Sequence, residues 1–211
     1  MTDSDRADGL PGLVRPRRAE DFDALYTGTP PPWDIGRPQP AFLALAETGA
    51  VRGRVLDVGC GTGEHALMAA DLGLPVLGVD VAASAVRRAE GKARDRGVSA
   101  RFLVRDALQM AALGEQFDTV LDCGLFHIFE DDDRVPFVEN LRAVTKPDSR
   151  YFMLCFSDRQ PGDWGPRRIT QNEIRASFNV GWHVDSIEPA AIDITIDPKG
   201  ALGWLVAITR T

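Results

Sequence analysis

Residues 55–70, VLDVGCGTGEHALMAA, restrict the fold more than any other part of the chain. A short apolar run stops at three glycines spaced by two, Gly59, Gly61 and Gly63, and passes at once into residues with helical periodicity. That order reads as a buried strand over 54–58, a tight turn, and a helix over 63–72. The strand also carries a carboxylate, Asp57, directly before the glycines. A phosphate cradle in that place would be repelled by its neighbour. The dinucleotide pattern G-x-G-x-x-G needs glycine at position 64, where this chain has Glu64. The ligand expected here is therefore not a pyrophosphate.

The unit repeats. Residues 75–79, 100–105, 117–122 and 150–156 read as further strands, and 82–96 as a helix. A second helix spans 131–145, with Phe137, Val138, Leu141 and Val144 at helical spacing. Alternating strands and helices imply a parallel sheet covered on both faces. The end of the chain departs from this. Thr170 and Glu173 have capping-box spacing at the head of a helix over 170–178. Two β-rich runs follow, 182–196 and 201–209, joined by DPKG, Asp197 to Gly200, which predicts an antiparallel hairpin closed by a type I turn. Near the start, a short helix over 19–26 precedes a proline-rich stretch, and a helix resumes near Gln39. The fold class expected is α/β, with seven strands in a mostly parallel sheet, helices on both faces and a C-terminal antiparallel hairpin.

A chain of 211 residues with 44% hydrophobic content suits one core, so the expectation is a single domain over 18–211 behind a flexible tail over 1–17. A net charge of -7 argues against nucleic acid as partner, and no run is long and apolar enough to span a membrane. Cys60, Cys123 and Cys155 lack metal-ligand spacing and read as buried thiols of a cytoplasmic protein. No metal is expected, and the assembly is a monomer or homodimer.

Four strands in succession end in an aspartate: Asp57, Asp80, Asp106 and Asp122. Ligands of open α/β sheets bind beyond the carboxyl ends of the strands, near the point where strand order reverses. An edge lined in this way suits a cationic ligand with hydroxyls.

VLDVGCGTGEHAL, VLGVD and VRDAL together resemble the cofactor site of class I S-adenosylmethionine-dependent methyltransferases, and the likeness covers most of the chain from about Phe22. It implies a Rossmann-like fold. It also implies that Asp57 faces the ammonium of S-adenosylmethionine, directly or through water, while Gly59, Gly61 and Gly63 let the backbone come close. By the same likeness Asp80, followed by Val81, takes the ribose hydroxyls, Asp106 meets the adenine amino group and Ala107 lies against its ring. Asp122 and Cys123 match the position that lines the methionine and the reaction centre.

TPPPWDIGRPQP resembles the segment before the first strand in small-molecule methyltransferases of the thiol, halide, thiopurine and tellurite-resistance type, including small bacterial enzymes acting on quinones or N-heterocycles. In that group it folds over the cofactor. Trp33 then packs beside the sulfonium and also borders the substrate, and Arg37 reaches a carboxylate; the other reading has Trp33 filling the core. His127, in DCGLFHIFEDDD, is either a base near the reaction centre or a histidine satisfying a loop carbonyl. SDRQPGDWGPRR reads as a lid in which Trp164 walls the substrate pocket and Arg167 and Arg168 are solvated. The function expected is methyl transfer from S-adenosylmethionine to a small-molecule nucleophile: a thiol, a halide, or the hydroxyl or nitrogen of a small aromatic. The rivals are a non-catalytic S-adenosylmethionine-binding regulator and an NAD-dependent oxidoreductase.

Overall fold

The computed structural model describes residues 19–211; the tail expected over 1–17 lies outside them. Two short helices, α1 (Ala19–Leu25) and α2 (Pro40–Glu47), lead into β1 (Val55–Val58), α3 (Glu64–Asp71), β2 (Val76–Asp80), α4 (Ala83–Arg96) and β3 (Arg101–Val104). Then come a 3-10 segment (Ala107–Leu113), β4 (Phe117–Cys123), a second 3-10 turn (Phe126–Ile128), α5 (Asp131–Ala143), β5 (Thr145–Phe156), α6 (Gln171–Ser177), β6 (Trp182–Ile194) and β7 (Asp197–Arg210). The seven strands form one sheet in the order β3-β2-β1-β4-β5-β7-β6. Pairing is parallel from β3 through β5 and antiparallel for β5–β7 and β6–β7.

All four residues of β1 are buried, because helices cover both faces of the sheet. The pleat then sorts neighbours to opposite sides. Leu56, Val58, Val120, Tyr151 and Met153 join a core on the α5 side. Val55, Leu121, Phe152 and Leu154 join the core on the α3 side. Strand order reverses between β1 and β4, where Val58 lies opposite Asp122. Reversal of strand order is where an open α/β sheet forms its ligand crevice.

The capping box on α6 is present: Glu173 N–H donates to Thr170 Oγ1 at 3.1 Å and Thr170 N–H to Glu173 Oε2 at 2.8 Å. The C-terminal hairpin forms, but its reversal is at Thr195–Ile196, since Ile194 pairs with Asp197. DPKG is instead a bulge inside β7. Lys199 N–H donates to Asp197 Oδ1 at 2.9 Å, and Gly200 has φ +67° with a Cβ position only 2.6 Å from the Ile192 carbonyl oxygen. The type I turn expected to close the hairpin at DPKG is therefore not the reversal; its proline and glycine serve a register shift instead.

Candidate active site

The glycine turn after β1 is held by carboxylates. Gly59, Gly61 and Gly63 have φ of +67°, +52° and +86°, a region that side-chain-bearing residues avoid. Gly63 caps α3, and a Cβ on it would lie 2.7 Å from that of Ala89 on α4. Asp80 accepts Gly61 N–H on one oxygen and Ala82 N–H on the other, each at 2.8 Å. It thereby fixes the turn yet keeps further lone pairs for a ligand. Val81, beside it, faces an open groove of about 410 Å³ against α1.

Asp57 is buried. Its Oδ2 accepts Ala66 N–H at 2.9 Å, and its Oδ1 has no partner among the described residues. Burial lifts its pKa to about 7, against the pull of that bond, with Asp80 and Asp122 adding to the rise. An orphaned carboxylate oxygen beside an open-backbone turn is a site built for a cation.

Asp106 accepts Leu108 N–H at 2.9 Å, capping the first 3-10 segment in which Ala107 is buried. Asp122 differs from the other three. It projects to the α5 side, where Oδ1 accepts Leu125 N–H at 2.9 Å and Phe126 N–H at 3.3 Å, and Oδ2 accepts the Tyr151 hydroxyl at 2.6 Å. Three donors occupy it, so it shapes the turn after β4 rather than presenting oxygen to the crevice. Burial raises its pKa to about 6. Cys123, half-buried, packs with the α3-side core.

Glu64 stands where a dinucleotide site would need glycine. It is buried and paired with Lys92 at 2.8 Å and Arg96 at 2.9 Å. Burial alone would raise its pKa; the two cations outweigh that and lower it. Lys92 also donates to Thr62 Oγ1 at 2.7 Å, and that hydroxyl donates to Asp34 Oδ1 at 2.8 Å. The proline-rich segment is tied to the glycine turn in this way. Trp33 is 45% exposed, which rules out the core-filling reading; its Nε1–H donates to Tyr26 Oη at 3.0 Å. That oxygen lies 3.0 Å from where a Cβ on Gly61 would be. Arg37 is engaged by Asp193 at 2.6 Å rather than left open for a ligand.

On the other side of the crevice, His127 is buried and Nδ1 accepts Phe156 N–H at 3.0 Å. The neutral ring thus carries its proton on Nε2 and is a donor. Burial, then the charge of Arg168, draws its pKa down to about 3. Of the two readings of His127 from the sequence, a base needs a free lone pair, and Nδ1 is taken by the Phe156 N–H; a loop carbonyl is not the partner seen. Its ring meets the Phe156 ring edge-on at 5.2 Å, and Phe156 meets Trp164 at 5.7 Å. Arg168, expected to be solvated, sits over Phe156 and Trp164 and donates to carbonyl oxygens of Gly162 at 3.0 Å and Pro166 at 2.7 Å. Arg167 bridges Asp131 and Glu173. Asp34 and Phe156 went unrecognised in the sequence because their partners, Thr62 and His127, are distant along the chain, and Tyr26 was not singled out at all.

A family model described as a methyltransferase domain matches residues 55–148. A 2-heptyl-1-hydroxyquinolin-4(1H)-one methyltransferase of Mycobacteroides abscessus is 35% identical over 81% of this chain and 80% of its own. The chain belongs to the class I S-adenosylmethionine-dependent methyltransferases. A probable thiol methyltransferase 2 of Arabidopsis thaliana is 30% identical over 67% of this methyltransferase and 64% of that protein. A solved structure from work on conversion of a disulfide bond into a thioacetal group during echinomycin biosynthesis superposes with a TM-score of 0.83 at 36% identity, covering 92% of this chain and 93% of that one. S-adenosylmethionine is the cofactor, and the unpaired Asp57 oxygen and left-handed glycines fit its cationic, phosphate-free end. The regulatory and nicotinamide readings fall away. Among the described residues no helix is long and apolar enough to cross a membrane, and no acidic, histidine and cysteine group is arranged for a metal.

Proposed function

We propose that this methyltransferase acts on a small, planar acceptor whose nucleophile ionises without help, such as an acidic hydroxyl on an aromatic heterocycle or a thiol. The observation that carries this is the Phe156 N–H on His127 Nδ1, which makes His127 a donor at neutral pH. Other titratable groups near the crevice supply no ready base. Burial pushes the Tyr26 hydroxyl and the Cys60 thiol up, and Asp122 is saturated with donors. Both the N-hydroxyl and the thiol named for the relatives above lose a proton far more readily than an alcohol.

When bound, S-adenosylmethionine supplies an electrophilic methyl on sulfonium and a neutral leaving group. Asp57 holds the ammonium, Asp80 and Val81 the ribose, Asp106 and Ala107 the adenine, and Gly59, Gly61, Gly63 and Cys123 border the methionine. The rings of His127, Phe156 and Trp164 wall the acceptor, and His127 Nε2–H steadies its oxyanion or thiolate. Positioning and exclusion of water then carry the reaction.

A series of N-hydroxy-heterocycles and thiophenols of graded acidity tests this. The pH at which kcat/KM rises should move with each acceptor's own pKa, in the wild type and in His127→Asn alike. An inflection fixed across acceptors and absent from His127→Asn would mean the enzyme supplies a base.

A further inference from the structure

The segment 30–39 covers the glycine turn, but the C-terminal hairpin holds it there. Thr195 N–H donates to the Pro32 carbonyl at 2.9 Å, and Arg37 pairs with Asp193 Oδ2 at 2.6 Å. Gln39 makes the tighter connection. Its side-chain amide donates to the Asp193 carbonyl at 2.9 Å and accepts Asp193 N–H at 2.8 Å, as a neighbouring strand would. Gln39 is 2% exposed, and its own N–H donates to His65 Nε2 at 3.1 Å, joining the end of the cover to α3.

The sheet makes residue 193 available for this. β6 is the last strand in the order, so one edge of it has no strand partner. The β6–β7 register shifts between Ile192 and Ile194, the bulge that DPKG creates opposite it. Asp193, inside that shift, turns its backbone pair to Gln39 and its carboxylate to Arg37. At its other end the cover touches the cofactor turn directly through Asp34 on Thr62, and indirectly through Trp33 on Tyr26, whose hydroxyl lies against Gly61.

We propose that Gln39 and Asp193 are positioning residues that latch the cofactor cover to the C-terminal hairpin, and that release of this latch limits cofactor entry and exit. The proposal rests on the reading that the cofactor lies along the edge of Asp57, the glycine turn and Asp80. Every contact in the latch joins protein atoms and none needs the ligand, so on this proposal it is closed in the free and the loaded enzyme alike and traffic in both directions must open it. A weakened latch should therefore speed association and dissociation together and leave the equilibrium constant nearly unchanged. A ligand contact behaves otherwise, since its loss acts mainly on dissociation and on affinity. A mere cover for the exposed strand edge would change stability and neither rate.

Stopped-flow binding of S-adenosylhomocysteine to the full chain is the experiment. Gln39→Met keeps the buried volume and removes both amide bonds; each rate constant should rise about tenfold, the scale of one or two neutral hydrogen bonds. Asp193→Asn and Arg37→Ala, both at an exposed ion pair, should raise both rates about two- to threefold, and they decide the matter if Gln39→Met does not fold. Unchanged rate constants in the folded variants would overturn the latch. Asp80→Ala is the control for the site itself. Loss of affinity there with unchanged rates in the latch variants condemns the latch alone, whereas unaltered affinity in Asp80→Ala condemns the placement of the cofactor.

Discussion

Two proline-rich segments, each with one tryptophan, flank the same sheet edge and are secured in different ways. Residues 30–39 have no centre of their own; the contacts run outward, to the hairpin through Pro32, Arg37 and Gln39, to the glycine turn through Asp34 and to Tyr26 beside it through Trp33. Residues 157–168 also reach outward, to Leu202, Trp204, Asp131 and Glu173, but unlike the first segment they wrap around a side chain that belongs to them. The Arg168 guanidinium donates to carbonyls of Gln160, Pro161, Gly162, Trp164 and Pro166, and lies over the Phe156 and Trp164 rings. An outward anchorage comes apart one contact at a time. An inward one comes apart as a unit. On the proposed reading the cofactor is thus covered by something that can open, and the acceptor is faced by a wall that is already formed.

Arg168→Met attacks this comparison most heavily. It strands several carbonyls at once, and hydrogen bonds to a charged group are worth about 1.5–3 kcal/mol each without being additive. Thermal unfolding should report a loss of about 2–4 kcal/mol. Cofactor affinity should change little by calorimetry, because the carbonyls and rings that Arg168 engages lie in or beside its own loop and not in the Asp57–glycine turn–Asp80 edge. If Arg168→Met weakens cofactor and spares stability, the loop is not organised from within.

The two sides also differ in how they respond to pH. His127, with its pKa near 3, stays neutral from mild acid upward, whereas Asp57 titrates at about 7. A carboxyl raised by folding stabilises the free protein fully below its unfolded value, and that contribution is lost as pH climbs through the folded value. The Asp57 contribution to free-enzyme stability should accordingly decline between about pH 4 and about pH 7. A bound ammonium favours the ionised form, so the cofactor opposes the decline. S-adenosylhomocysteine should bind about tenfold more tightly at about pH 7 than at about pH 5 in calorimetry, and Asp57→Asn should flatten that slope. A slope that survives in Asp57→Asn would place the titrating group elsewhere.

What the sequence disclosed about these sides follows from the range of each contact. The strand–glycine–helix unit and the aspartates at strand ends are local patterns, so the sheet and the arrival of Asp57, Asp80 and Asp106 at one edge were legible; that Asp80 also fixes the glycine turn was not. Asp122 was misjudged by one step of the pleat. In parallel pairing Asp57 sits beside Leu121, which puts Asp122 on the opposite face, under Tyr151. Period-two reasoning across β1 and β4 would have found this once the register was known, and register is not a local property. Arg168 was read as solvated because its partners are backbone carbonyls, which every sequence has in equal supply. The Gln39–Asp193 bridge spans 154 positions and depends on a bulge that DPKG disguised as a reversal.

The smallest expected effect lies at Trp33, and it tests the outward anchorage directly. The indole is 45% exposed, and its one hydrogen bond, to Tyr26 Oη, is neutral at both ends. Such a bond contributes about 0.5–1.5 kcal/mol, and the exposed half of the ring contributes little burial. Trp33→Ala should therefore lower stability by no more than about 1 kcal/mol, against the 3–5 kcal/mol typical of a tryptophan removed from a core. The latch residues are untouched, so the segment stays on the hairpin. What the variant loses is an aromatic face next to the glycine turn, and that loss should appear as a raised KM for S-adenosylmethionine with the acceptor KM nearly constant. Trp33→Phe keeps a face and drops the bond to Tyr26, so it should recover most of the cofactor KM while remaining as stable as Trp33→Ala. A cost above about 2 kcal/mol in both variants would be of core size. It would mean that residues 30–39 are held from beneath by Trp33, and the contrast between an openable cover and a fixed wall would then be lost.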